Sequence, residues 1–188
     1  MNVYDFDGTI YRGDSSIDFY VFCLLRYPWL VICIPYQISM ILAYKLHLCS
    51  KEQEKSAFFS FLRLVPNVQS TVKKFWSKNI KKITSWYLAQ KQDDDVIISA
   101  SPTFLLHPAC NKLGVGRLLA SDVNPLTGQF HGKNCYGIEK IYRFTETFTN
   151  DNIDSFYSDS DSDTPMAKLA QMAFKVKKAH NITRWKTK

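Results

Sequence analysis

The stretch that decides the fold is Val3-Tyr4-Asp5-Phe6-Asp7-Gly8-Thr9. Val3, Tyr4 and Phe6 favour a buried strand, and Gly8 with Thr9 supplies a turn and a helix N-cap. Asp5 and Asp7 therefore leave a sheet at its C-terminal edge, where open α/β sheets bind their ligands. Two carboxylates one residue apart can divide the labour of phosphoryl transfer. One attacks phosphorus and the other moves the proton of the leaving oxygen. Their charge repels an anionic ester, so this chemistry calls for Mg²⁺ and for further acids elsewhere in the chain. Read alone, Asp-x-Asp-Gly-Thr is also compatible with a polar turn after a strand.

The remaining parts follow in order. Val96-Ile97-Ile98, preceded by Asp93 to Asp95, reads as a central strand, and Ser99-Ala100-Ser101-Pro102 follows at its end. A hydroxyl there can hold a phosphate oxygen or cap a helix. Gly137-Ile138-Glu139-Lys140 opens a predicted helix, where a lysine can neutralise a phosphoryl group and its attacking carboxylate, or face solvent as most lysines do. Phe156-Tyr157-Ser158-Asp159-Ser160-Asp161-Ser162-Asp163 is an apolar strand running into three alternating acids. A calcium loop counted from Asp159 fails, because its sixth and twelfth positions hold Thr164 and Ala170 in place of glycine and glutamate. The spacing of Met166, Leu169, Ala170 and Ala173 predicts an amphipathic helix after the loop.

The order Asp5/Asp7, Ser99, Lys140, Asp159/Asp163 resembles the four motifs of the haloacid dehalogenase superfamily, over Val3 to about Trp185. The resemblance implies Asp5 as nucleophile, Asp7 as general acid and base, and Ser99 and Lys140 as the groups on the phosphoryl oxygens. Gly8, Thr9 and Ala100 would complete the phosphate-binding surface. Mg²⁺ would be held by Asp5, the Asp7 backbone carbonyl and Asp159, with Asp163 in support. The chain writes Ser158-Asp159 where the family usually writes Gly-Asp. Superfamily members with the second aspartate are mostly phosphatases, so the resemblance implies a phosphatase, not a dehalogenase. Asn124-Pro125-Leu126-Thr127-Gly128-Gln129-Phe130, followed by Gly132 to Gly137, is similar to the hairpin before motif three in the phosphoserine phosphatase-like branch. The long apolar insertion together with Tyr157-Ser158-Asp159-Ser160 resembles, more loosely, phosphatidylglycerophosphatase C. Lys133 reads as an exposed hairpin lysine.

The resemblance implies an α/β fold: a three-layer Rossmann-like core with a mostly parallel sheet, made from residues 1–13 and 92–188 and interrupted by an all-helical cap at 14–91. A chain of 188 residues that is 46% hydrophobic can build one such core and a small cap. Cys23, Cys33, Cys49, Cys110 and Cys135 contain no Cys-x-x-Cys pair, which argues against a disulfide framework or a zinc site and for a reducing cytoplasmic home. The four histidines are scattered without metal-ligand spacing.

Within the insertion, Tyr27 to Tyr44 carries no formal charge and meets the length of a membrane span. A single crossing would put Asp5 opposite Ser99, Lys140 and Asp159, which an enzyme excludes. A helical hairpin broken near Pro35, a re-entrant dip and an apolar cap remain. Val68 to Gln90 predicts a second, basic amphipathic helix with Lys73, Lys74, Lys78, Lys81 and Lys82 between its apolar positions. With a net charge of +7, this face suits an anionic substrate or peripheral contact with an anionic membrane, at its inner face for a cytoplasmic protein. No nucleic-acid motif is present, so no nucleic-acid partner is expected. Asp5 and Asp7 stand where a signal peptide would need basic and apolar residues. Ala173 to Lys178 alternates as a final edge strand, with Asn181 to Lys188 as a tail.

Two functions therefore compete. One is a Mg²⁺-dependent phosphatase for a small phosphomonoester or a phospholipid headgroup such as phosphatidylglycerophosphate. The other is a non-catalytic membrane-surface or partner-binding protein on the same fold. Cap residues that choose the substrate have no readable code, and a homo-oligomer is left open. Arg12 and Arg26 could meet a substrate carboxylate, though surface arginine is the simpler reading.

Overall fold

The computed structural model describes residues 1–149 and 152–186. The chain runs β1 (Asn2–Tyr4), α1 (Ser15–Arg26), a 3₁₀ turn (Pro28–Cys33), α2 (Ile34–Lys45), α3 (Lys51–Phe58), a second 3₁₀ turn (Phe59–Leu64), α4 (Val68–Asn79) and α5 (Ser85–Gln90). It continues with β2 (Val96–Pro102), α6 (Thr103–Leu113), β3 (Arg117–Ser121), α7 (Ile138–Thr147), β4 (Ile153–Ser158), α8 (Thr164–Ala167), β5 (Ala170–Lys177) and β6 (Asn181–Arg184). The strands form one sheet in the order β3-β2-β1-β4-β5-β6, parallel except for β6. Since β1 pairs with β2 on one side and β4 on the other, the connections part at β1. A crevice therefore opens at the carboxyl ends of these strands.

Alternation along the strands divides the core into two layers. Tyr4 and Ile97 face one cluster with Trp76, Tyr87, Leu105 and Leu106, whereas Val3, Val96 and Ile98 face another with Phe144, Phe156 and Met166. This is the expected three-layer α/β arrangement. Register stacks aromatic rings across the strands: Tyr4 lies 4.8 Å from Tyr157, and Tyr157 lies 4.9 Å from Phe174. Trp86 of α5 covers this row and donates from Nε1 to the Ala179 carbonyl at 3.0 Å.

Several local expectations are corrected. The helix expected from Met166 to Ala173 is only α8, four residues long; Ala170 and Ala173 belong to β5. Parallel pairing with β4, Ile153 opposite Ala170 and Phe156 opposite Ala173, overrides the helical spacing. β5 is not an edge either. Lys178 and Ala179 take positive φ of 52° and 58°, and Asn181–Arg184 of the expected tail folds back as antiparallel β6. The last two tail residues lie outside the described residues. The helix expected from Val68 to Gln90 breaks after Asn79, because the Thr84 N–H bonds the Ile10 carbonyl at 2.8 Å and the Arg12 N–H bonds the Lys82 carbonyl at 3.0 Å. In the apolar insertion the break falls at Tyr27–Cys33, not near Pro35, which sits in the first turn of α2 where its missing N–H costs nothing. Among the described residues no helix is long and apolar enough to cross a membrane.

Candidate active site

Three neighbouring strand ends deliver the acids and the hydroxyl. Asp5 follows β1, and its N–H bonds the Tyr157 carbonyl of β4 at 2.9 Å. Ser99 lies within β2, which shifts register between Ser99 and Pro102, and Asp159 follows β4. From the first turn of α7, Lys140 reaches back with only 2% of its surface exposed. Its Nζ donates to Asp5 Oδ1 and Asp163 Oδ2, both at 2.7 Å. Asp163 Oδ2 also accepts from Ser158 Oγ at 2.7 Å. Thr9 is buried beneath the cavity floor: its hydroxyl contacts Asp5 Oδ2 at 3.4 Å and accepts the Asp159 N–H at 3.0 Å.

Asp7 stands at the entrance of α1. Its Oδ1 accepts the Ser15 N–H at 2.6 Å, and its Oδ2 accepts from Ser101 Oγ at 2.6 Å. A helix N-terminus suits a carboxylate there. Gly8 is obligatory in this turn: its φ is +70°, and a Cβ would collide with the Asp159 carboxylate. Ser99 is buried, and its Oγ accepts the Ser101 N–H at 3.1 Å.

Burial pushes the Asp5 carboxyl up to about 7; Lys140 opposes this, while Asp163 and Asp7 add to it. Asp7 is pushed up to about 6 by burial and then by Asp14, against the bonds from Ser101 and Ser15. Burial works against the charge of Lys140, but Asp5 and Asp163 outweigh it and raise its pKa. Asp159 is raised by burial and by Asp163. The acids of the cluster outnumber the one lysine bonded to them, and Asp163 Oδ1 is buried with no hydrogen-bond partner among the described residues. Among the described residues no three His, Cys, Asp or Glu side chains converge as a ready-made metal centre. Mg²⁺ typically binds through one or two carboxylates with water and substrate oxygens completing its shell, so the hard oxygens of Asp5, Asp159 and the Asp7 carbonyl fit it.

Asp5, Asp7, Gly8, Ser99, Ala100, Lys140, Asp159 and Asp163 all line one cavity of about 1000 Å³. Of the residues of the four motifs, only Thr9 lies behind its wall; Arg12 and Arg26, the candidates for a substrate carboxylate, do not line the cavity. The opposite wall comes from the helical insertion, notably Ile17, Tyr44, Lys51, Glu54, Lys55 and Phe58. Sequence reading missed Ser101, Lys55 and Asn134. Lys55 Nζ reaches Asn134 Oδ1 at 3.0 Å and the Ala100 carbonyl at 3.5 Å, and burial followed by Lys51 lowers its pKa. Ser101 was visible in the serine cluster, whereas nothing local marks Lys55 or Asn134. A smaller cavity of about 420 Å³ between β3 and α7 contains Arg143, which already donates to the Ala120 and Lys133 carbonyls at 2.6 Å.

The family described as haloacid dehalogenase-like hydrolase matches residues 3–168. The chain belongs to that family. The match takes in every acid and lysine of the constellation, so this haloacid dehalogenase-like hydrolase bears out the resemblance read from its four motifs. No curated protein matches it by sequence. Among solved structures it is similar to a protein of unknown function from Bordetella pertussis Tohama I, with TM-score 0.73 and 18% identity over 92% of this chain and 87% of that one. A phosphoserine phosphohydrolase-like protein from Francisella tularensis gives TM-score 0.56 and 15% identity, covering 92% and 86%. A substrate-bound phosphoserine phosphatase gives TM-score 0.54 and 17% identity, covering 91% and 82%. The hydrolase therefore has the phosphoserine phosphatase-like fold.

Proposed function

We propose that this hydrolase is a Mg²⁺-dependent phosphomonoester phosphatase that works through an aspartyl-phosphate, with residues 14–91 as its cap and 1–13 with 92–188 as its catalytic core. The observation that carries the reading is Lys140, buried and held 2.7 Å from both Asp5 and Asp163 at the floor of the cavity. In this reading Asp5 attacks phosphorus in line, and Asp7 gives its proton to the leaving alcohol. Asp7 then takes a proton from the water that hydrolyses the acyl-phosphate. Lys140 and Ser99 hold the phosphoryl oxygens while charge moves onto them. Asp5, the Asp7 carbonyl and Asp159 would hold Mg²⁺, whose chemistry here is to screen the carboxylates from the anionic ester and polarise it. A carboxyl pushed up to about 6 keeps a share of Asp7 protonated in mildly acidic solution, where an ordinary aspartate would be ionised, which supports the acid role. The reading favours a cytoplasmic protein, since none of the five cysteines is paired.

The non-catalytic alternative leaves the buried ion cluster without purpose, although such clusters are costly to desolvate. The test is Mg²⁺-dependent phosphate release from a panel of phosphoserine, sugar phosphates, nucleotides and phosphatidylglycerophosphate. Asp5→Asn should abolish turnover and leave the circular dichroism spectrum unchanged. Full activity in that variant with the same substrate would sink the mechanism.

A further inference from the structure

α2 is folded inside out. Its one buried residue is Gln37, whose side chain accepts from Tyr20 Oη at 2.6 Å and donates to the Phe58 carbonyl at 2.9 Å. Tyr36, Ile38, Ile41 and Leu42 face solvent instead. α1 buries Phe19 and Cys23 in the core, yet it also carries Ile17, Val21 and Leu25 at a spacing of four on its exposed side. The 3₁₀ turn and the loop after α2 add Ile32 and Leu48; Leu25, Ile32 and Leu48 are 81%, 73% and 75% exposed. Among the described residues, 13 of the 21 exposed large hydrophobic side chains fall from Ile17 to Leu48. A face of this kind marks an interaction surface.

Its charge selects the partner. No Asp or Glu occurs between Asp18 and Glu52, whereas Arg26, Lys45 and Lys51 do. Lys51 is already paired with Glu54 at 2.9 Å, but two copies meeting through this face would set Arg26 and Lys45 against their equivalents with no carboxylate between Asp18 and Glu52 to pair them. An anionic lipid surface supplies the missing charge. α2 is 12 residues, about 18 Å, against a hydrocarbon core of about 30 Å, so it can lie in the interface but not span it. Trp29 of the 3₁₀ turn and Tyr36 and Tyr44 of α2 are also exposed, as side chains at the headgroup boundary are. The face also runs into the active site, because Ile17, Tyr44 and Lys51 line the cavity that holds Asp5.

We propose that the apolar face of α1, the 3₁₀ turn and α2 seats the enzyme on an anionic lipid surface, with the cavity mouth at headgroup level and a lipid phosphomonoester as substrate. The substrate half of this inference rests on the phosphatase reading. The docking half does not. Flotation of the full chain with vesicles of phosphatidylcholine, with and without phosphatidylglycerol, tests it beside Leu25→Glu/Ile32→Glu. The wild type should float with the anionic vesicles, and brominated lipid should quench Trp29. The variant should float at least about tenfold less, as expected for two apolar side chains lost from the interface, and should still release phosphate from soluble p-nitrophenyl phosphate. Absence of the wild type from the floated fraction overturns the docking, as does a dimer that the same substitutions make monomeric. Flotation without phosphate release from any vesicle-borne ester, while the soluble ester is hydrolysed, overturns the lipid substrate. If neither ester is hydrolysed, the phosphatase reading fails while docking stands.

Discussion

Lys140 is buried between Asp5 and Asp163, 2.7 Å from each, and its removal should cost more than the removal of Asp5. Lys140→Met leaves Asp5 and Asp163 buried without a counter-charge, which costs about 3–5 kcal/mol in such pairs. Asp5→Asn relieves repulsion with Asp163 and should leave stability unchanged or higher. Urea denaturation of both variants and of the double variant checks this, with Asp5→Asn recovering part of the loss when added to Lys140→Met. Ser101 makes a pH prediction. Its hydroxyl donates to Asp7 and lowers that carboxyl's pKa, so Ser101→Ala should move the pH-rate limb governed by Asp7 upward. An unmoved limb would detach Asp7 from the profile. The acids and Lys140 were legible because each sits in a short motif beside a recognisable strand or helix start. Lys55 and Asn134 were not, because their meeting depends on how the insertion folds over β2.

At the scale of elements, α3 ties the helical insertion to chemistry. Ser50 and Gln53 form a reciprocal capping box, with bonds of 3.2 and 2.8 Å, and the helix they start carries Lys51, Glu54 and Lys55 along the cavity wall. Ser50→Ala should lower stability by about 1 kcal/mol and raise KM by less than about tenfold, since only the free energy of the cap is at stake. A thermal melt and steady-state kinetics on one soluble ester measure both. Strands with β-branched or aromatic runs were readable at this scale, as Val96 to Ile98 shows. The short elements were not. Ala170 to Ala173 obeys a helical spacing that the parallel partner β4 overrides, and Ile83-Thr84 breaks a basic helix because the loop after β1 needs its backbone groups. α2 misleads in a different way, since its apolar residues face outward and no periodicity reveals which side of a helix is covered.

Across the whole molecule, the site exists only when β1, β2 and β4 are assembled, because Asp5, Ser99 and Asp159 come from positions far apart in the chain and meet at one sheet edge. The parallel order and the three layers could be expected from the motif order, whereas the antiparallel β6 could not, because its strand is four residues long and mostly exposed. This dependence couples ligand binding to global stability. Mg²⁺ that binds the folded cluster and not the unfolded chain stabilises by about 2.7 kcal/mol at a hundred times its dissociation constant. For a domain of this length that corresponds to about 5–10 °C in the thermal midpoint. The gain should be larger than for a neutral site, since the cation also relieves repulsion among acids held close by the fold. Asp159→Asn should remove most of the Mg²⁺-dependent shift and leave the metal-free midpoint unchanged or raised. A shift that survives in Asp159→Asn would place the cation elsewhere, and an absent shift in the wild type would remove Mg²⁺ from the proposed mechanism.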